Sequence, residues 1–134
     1  MTAHRWRIRV YYEDTDLAGL VYYANYLRFI ERARSEMVRE AGIDQAALRE
    51  AGQVFAVTRV VADYLQPARY DDELIVTTTV QRMTPARLIL SQEVSRGETA
   101  LFKADVSLAF LDMTGRPRRM PQDLCSRLQR IAVA

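Results

Sequence analysis

The second half of the chain constrains the fold most. Residues 54–65, 73–83, 87–95 and 99–111 are long runs rich in β-branched, aromatic and leucine residues, separated by short connectors that contain proline or glycine. Connectors at 67–72, 84–85 and 96–97 are too short to carry a crossover, so successive strands are expected to pair antiparallel. The last run alternates cleanly, with Ala100, Phe102, Ala104, Val106, Leu108 and Phe110 on one face and Thr99, Lys103, Asp105 and Ser107 on the other. One face of that strand therefore meets a core. In the first run Phe55, Val57 and Val61 oppose Val54, Ala56 and Val60, so both faces are expected to be buried, the outer one by a second subunit.

Ahead of these strands, residues 5–12 alternate Arg5, Arg7 and Arg9 against Trp6, Ile8 and Val10, which predicts a half-buried strand. Glu13, Asp14, Thr15 and Asp16 then place three carboxylates within four residues, before an apolar turn containing Gly19. From about 24 to 41, Leu27, Ile30, Ala33 or Arg34, Met37 and Ala41 recur at helical steps. The opposite face carries Arg28, Glu31, Arg32, Glu36, Arg39 and Glu40, with Arg32 and Glu36 spaced to pair. Gly42 ends this helix, Asp44 caps a shorter one through Ala51, and Gly52 ends that. A basic loop at 113–121 leads to a weak helix near 123–131. The fold class expected from this order is α+β.

A chain of 134 residues, 49% hydrophobic, is expected to form one domain with a core that needs no metal or disulfide. The single cysteine, Cys125, can make neither an intramolecular disulfide nor a cysteine zinc cluster, and is expected to pack a helix. No charged N-terminus with an apolar stretch behind it and no apolar run of membrane length is present, so a soluble, cytoplasmic protein is expected. Net charge is +2, and of the 19 basic residues only Lys103 is lysine. Such a uniform arginine preference reads as composition and names no partner.

His4 is the only histidine and is expected to lie in a loosely ordered terminus ahead of the first strand. That disfavours Ser-His-Asp, Cys-His and imidazole-metal sites, leaving carboxylate, tyrosine or hydroxyl chemistry. The carboxylates cluster where the first strand ends and a helix begins. Unpaired N–H groups near Tyr23, Ala24 and Asn25, at the positive end of the helix dipole, could polarise a carbonyl, while a nearby carboxylate attacks it or activates water. Leu17, Leu20, Val21 and Tyr22 would partly desolvate that carboxylate. Two other readings remain open on spacing alone: Asp14, Thr15 and Asp16 forming a turn that assists the helix start, or Asp14 and Asp16 binding calcium or magnesium.

Residues 10–27, Val-Tyr-Tyr-Glu-Asp-Thr-Asp-Leu-Ala-Gly-Leu-Val-Tyr-Tyr-Ala-Asn-Tyr-Leu, followed by Phe-Ile-Glu-Arg-Ala-Arg-Ser-Glu-Met at 29–37, closely resemble the acyl-CoA thioesterases associated with the bacterial Tol-Pal cluster. These belong to the 4-hydroxybenzoyl-CoA thioesterase branch of the hotdog superfamily. The resemblance continues through Tyr-Leu-Gln-Pro-Ala-Arg-Tyr-Asp-Asp at 64–72 and covers nearly the whole chain. It implies a single hotdog domain over 1–134, with a long central helix wrapped by a curved antiparallel sheet of about five strands, paired into a homodimer or homotetramer. It also implies hydrolysis of short- to medium-chain or aromatic acyl-CoA, with acyl carrier protein as a possible alternative thiol carrier and no cofactor or metal. The matching catalytic residues are Asp16, as nucleophile or general base, and Tyr23, whose backbone N–H holds the thioester oxygen. Many members of the subgroup carry histidine at that position and 4-hydroxybenzoyl-CoA relatives carry tyrosine; a phenol cannot replace imidazole as a base at neutral pH. Asn25 is expected to order the turn or cap the helix.

A second hotdog branch uses a helix glutamate, for which Glu31 and Glu36 are the candidates here. A different class of reading is a non-catalytic hotdog partner of an envelope assembly that binds an acyl thioester or acyl carrier protein. Hotdog dehydratases need a core histidine, which disfavours that activity. Arg116, Arg118 and Arg119 lack interleaved aromatics, so no nucleic-acid partner is expected, and contact with coenzyme A phosphates or solvent is the simpler reading.

Overall fold

The computed structural model describes residues 3–132. Its elements are β1 (His4–Arg9), a 3-10 turn (Tyr12–Asp14), α1 (Asn25–Glu40), α2 (Gln45–Glu50), β2 (Gln53–Tyr64), β3 (Glu73–Thr84), β4 (Arg87–Arg96), β5 (Thr99–Asp112) and α3 (Gln122–Ile131). All strand pairs are antiparallel and form one five-stranded sheet in the order β1-β3-β4-β5-β2. The expected pairing of successive strands fails for β2 and β3: β2 lies at the edge beside β5, and the 65–72 segment carries the chain across to β3, which lies between β1 and β4. Register shifts between Val57 and Arg59, Val80 and Arg82, and Val94 and Ser95 interrupt the ladders. Each inserted residue adds local twist and bends the long strands. This is the α+β architecture expected of a hotdog fold.

The inward face of β5 is buried from Phe102 to Phe110, as its alternation predicts. Against the sheet α1 buries Tyr26, Phe29, Ile30, Ala33, Met37 and Val38. The expected stripe is therefore displaced at its start: Leu27 is exposed, and Tyr26 takes the core position by stacking on Phe102, with ring centroids 4.9 Å apart and planes 14° apart. An aromatic pair of this kind adds roughly 1 kcal/mol beyond its area burial. Glu36 pairs with Arg39, in place of the expected Arg32.

Gly42, at φ +82, ends α1 with the Gly42 and Ile43 N–H groups donating to Arg39 O and Val38 O. Asp44 caps α2 by accepting from the Ala47 N–H at 3.1 Å. The first strand is shorter than its alternation implies, because Tyr11 and Tyr12 turn outward into the 3-10 segment.

One further expectation is corrected. His4 opens β1 and is buried, its Nε2 lying 2.7 Å from Glu40 Oε2 at the end of α1. It is a strand-to-helix tie about 20 Å of helix away from the start of α1, not a loose terminus. β2 is a sheet edge with Val57, Val60 and Val61 exposed, so this chain alone does not bury both of its faces. No described helix is long and apolar enough to cross a membrane.

Candidate active site

Three carboxylates followed by a glycine turn fold here as a tight hairpin. Tyr22 N–H donates to Asp14 O (2.9 Å), Thr15 bridges Val21, and Asp16 N–H donates to Leu20 O (2.8 Å). Gly19, at φ +78, makes the reversal that a side chain would resist. The hairpin is stitched to the 67–72 connector by Val21 N–H donating to Ala68 O (2.9 Å) and by the Leu20 and Arg69 bridge. From the other side the Ala68 N–H donates to Tyr26 Oη (3.0 Å), and burial pushes the Tyr26 phenol up. Asp72 holds the connector by accepting from the Arg69 N–H (2.9 Å) and from Arg96 Nη1 (2.8 Å).

The two aspartates of the motif have opposite surroundings. Asp14 is buried; its Oδ2 accepts from the Tyr11 N–H and its Oδ1 from Asn25 Nδ2, both at 2.8 Å. Asp16 is exposed, and its Oδ1 accepts from the Ala18 N–H (2.9 Å) and the Leu20 N–H (3.2 Å). The turn is thus satisfied by one oxygen of Asp16. Among the described residues its Oδ2 makes no hydrogen bond. Each oxygen of Asp14 accepts a hydrogen bond within the chain, and among the described residues no cluster of three or more His, Cys, Asp or Glu side chains is placed to hold a cation. Leu17 is also fully exposed, so the desolvation expected for Asp16 is not provided by one chain.

At the start of α1 the N–H of Asn25 is spent on Tyr22 O (2.8 Å), and its side chain braces Asp14 instead of capping the helix. Ala24 occupies the N-cap position and offers no side-chain cap. Among the described residues, no acceptor takes the N–H of Tyr23 or Ala24. These are unpaired donors at the positive end of a 16-residue helix. The ring of Tyr23 is exposed, 4.9 Å from that of Tyr22, and its carbonyl accepts from Tyr64 Oη at 2.9 Å.

Along its length α1 borders two adjoining cavities, both lined by Glu31, Arg34 and Val57. One, toward the helix start, includes Leu27, Arg28 and Val60; the other, of about 210 Å³, reaches Met37, Phe55 and Leu108. Both walls are mainly apolar. Burial lowers the Arg34 guanidinium, which donates to Gln92 Oε1 (3.0 Å). Glu31 is exposed and accepts from Ser35 Oγ, and Glu36 is engaged by Arg39, so neither glutamate shares the hairpin of Asp16.

The basic loop is also more ordered than its composition implies. The Thr114 hydroxyl leads a set of donors, with the backbone of Arg116 and the side chain of Arg118, that holds the Asp112 carboxyl down to about 2. Arg118 is thereby occupied within the chain.

Asp14 plays the helix-start role that the turn reading gave it, as a buried brace, and one residue is missed by the sequence reading: Tyr64, the partner of the Tyr23 carbonyl. The Asp-Thr-Asp spacing cannot say which carboxylate turns inward. Tyr64 heads the 64–72 motif, which was the available signal.

Residues 10–128 match the model of the thioesterase-like superfamily. The acyl-CoA thioester hydrolase YbgC of Escherichia coli O6:H1 is 38% identical over 96% of this chain and 97% of its own length. The acyl-CoA thioesterase YbgC of Haemophilus influenzae is 42% identical over 79% of each chain. Among solved structures, a probable thioesterase from Bartonella henselae superposes with a TM-score of 0.85 at 36% identity, covering 90% of this chain and all of that one.

Proposed function

The chain belongs to the thioesterase-like superfamily, and on that premise we propose that it hydrolyses acyl-CoA thioesters, with Asp16 as nucleophile or general base and the Tyr23 N–H as oxyanion donor. One observation carries the assignment of roles: Asp16 keeps one carboxylate oxygen unbonded in the same hairpin that leads into unclaimed N–H donors at the start of α1. The relatives matching most of the chain are named acyl-CoA thioester hydrolase or thioesterase, which supports the substrate class.

A thioester whose carbonyl oxygen meets the Tyr23 N–H gains charge stabilisation as the tetrahedral oxyanion forms, aided by the helix dipole. By the nucleophilic route Asp16 Oδ2 adds to the carbonyl carbon, the thiolate of coenzyme A leaves, and water hydrolyses the resulting anhydride. By the general-base route Asp16 takes a proton from water as the water adds, and the proton passes to the departing thiolate. Either route uses the carboxylate and leaves the chain unchanged at the end.

The apolar cavities along α1 suit an aliphatic or aromatic acyl group, short to medium in length. A second copy of the chain, joined through the exposed edge of β2, would cover Val57, Val60 and Val61 and remove water from the hairpin. Homodimer or homotetramer assembly, a single catalytic domain over 1–134 and a cytoplasmic location belong to the same reading. So does acyl carrier protein as a second thiol carrier. Membership of the Tol-Pal-associated subgroup rests on motif resemblance alone.

The test is free-thiol release from a panel of short, medium and aromatic acyl-CoA esters by the purified protein and by Asp16→Ala. Turnover on at least one ester that disappears in the variant is the expected result, and the best ester names the acyl class. A wild type inactive on every ester overturns the hydrolase reading, and an active Asp16→Ala overturns the role of Asp16.

A further inference from the structure

We propose that Tyr64 is a positioning residue for the oxyanion site, its phenol fixing the Tyr23 carbonyl and so the peptide plane that carries the Ala24 N–H beside the Tyr23 N–H. This rests on the thioesterase reading above and adds to it a residue of the 64–72 motif that the chemistry had left unused.

Residue 23 sits between two peptide planes. The upstream one is held by Asn25 N–H donating to Tyr22 O at 2.8 Å. The downstream one lies outside the regular helix ladder, because Leu27 N–H donates to Ala24 O (3.2 Å) and not to Tyr23 O. Tyr64 Oη, at 2.9 Å, takes its place as the donor to Tyr23 O. Without that bond the torsion between the two planes is set by exposed residues alone, since Tyr22 and Tyr23 are both largely solvent-facing.

The phenol is well placed to hold a carbonyl still. Tyr64 ends β2 opposite Phe102, and its ring meets those of Phe102 (5.0 Å) and Tyr26 (5.5 Å) edge-on. Both of those rings are buried core. Leu101, the extra residue in β5, accepts from the N–H groups of Leu65 and Gln66 (2.8 and 3.1 Å), which fixes the exit of β2 over the helix start. Burial raises the Tyr64 phenol, so the proton needed for donation stays in place at neutral pH. Accepting that hydrogen bond also polarises the Tyr23–Ala24 peptide and strengthens the Ala24 N–H as a donor.

Tyr64→Phe removes the hydroxyl and keeps the ring. Small displacements of a positioned group cost up to about a hundredfold in rate, and the expectation here is a fall in kcat of roughly tenfold or more with KM within about twofold. A second readout is the carbonyl stretch of an acyl-CoA bound to Asp16→Asn, followed by isotope-edited Raman spectroscopy. Adding Tyr64→Phe to that background should move the stretch back toward its value in solution. Replacing Tyr64 by 4-aminophenylalanine, which retains a para N–H donor, should restore most of kcat, whereas a packing role would leave it no better than phenylalanine. An unchanged kcat in Tyr64→Phe, an unchanged carbonyl stretch, or no rescue overturns the positioning role. Each of these is read on a wild type that turns over and an Asp16 variant that does not, so failure of the underlying thioesterase reading would be seen separately.

Discussion

Asp14→Asn tests the division of labour between the two aspartates from the stability side. Asp14 is only 5% exposed, and its two oxygens each accept one hydrogen bond at 2.8 Å, from the Tyr11 N–H and from Asn25 Nδ2. An asparagine has one oxygen. Whichever donor that oxygen serves, the other meets an NH2 group and loses a charge-assisted bond worth about 1.5–3 kcal/mol. With a buried donor left unsatisfied, the total is expected at roughly 2–4 kcal/mol. For a chain of this size each kcal/mol lowers Tm by about 3–5 °C, so the variant should melt roughly 6–20 °C below the wild type. Calorimetry measures the shift, and urea unfolding with an unchanged slope assigns it to the native state. A fall under about 2 °C would refute the reasoning, because it would mean that the brace between the hairpin and α1 carries no net stability.

Other perturbations reach the helix end and the basic loop. Gly42→Ala places a Cβ at φ +82 and 2.5 Å from Arg127 Nη1, a group that donates to Ala41 O, and should cost about 1–2 kcal/mol in urea unfolding. The Asp112 carboxyl lies at about 2, below its ordinary 3.8, so its stabilisation is complete above about pH 4 and is lost as pH falls toward about 2. Asp112→Asn should therefore be less stable than wild type at neutral pH, with the difference in urea midpoint closing across that acidic window.

Much of the architecture was legible because local signals agree with the pairing of β3, β4 and β5, whereas the place of β2 beside β5 and not β3 was not legible. Strand limits in the second half follow from Pro67, Pro85 and Gly97, and the alternation of β5 assigns its buried face correctly. Gly42 and Asp44 mark the ends of α1 and α2 where the capping geometry places them. Helical spacing could not choose between Leu27 and Tyr26, because both lie near the apolar stripe; the stacking partner Phe102 decides, and it comes from a distant strand. For His4 the hidden fact was Glu40, 36 residues away, which draws the ring inward. The valines of β2 read as buried on both sides, the outer side by a second subunit, and in one chain the edge strand leaves that outer side exposed. In the site, Asp16 and the helix start were visible as a motif, but the inward turn of Asp14 and the reach of Tyr64 depend on contacts that no spacing encodes.

The central claim is that the Asp16 carboxylate acts chemically and does not merely shape the turn. Asp16→Asn isolates that difference, since its amide oxygen can still accept from the Ala18 and Leu20 N–H groups while the free carboxylate oxygen is lost. Measured on the best acyl-CoA ester, kcat should fall at least about a thousandfold, with Tm within about 2 °C of wild type. Retained turnover in a variant of unchanged stability would contradict the account and move the chemistry to another group.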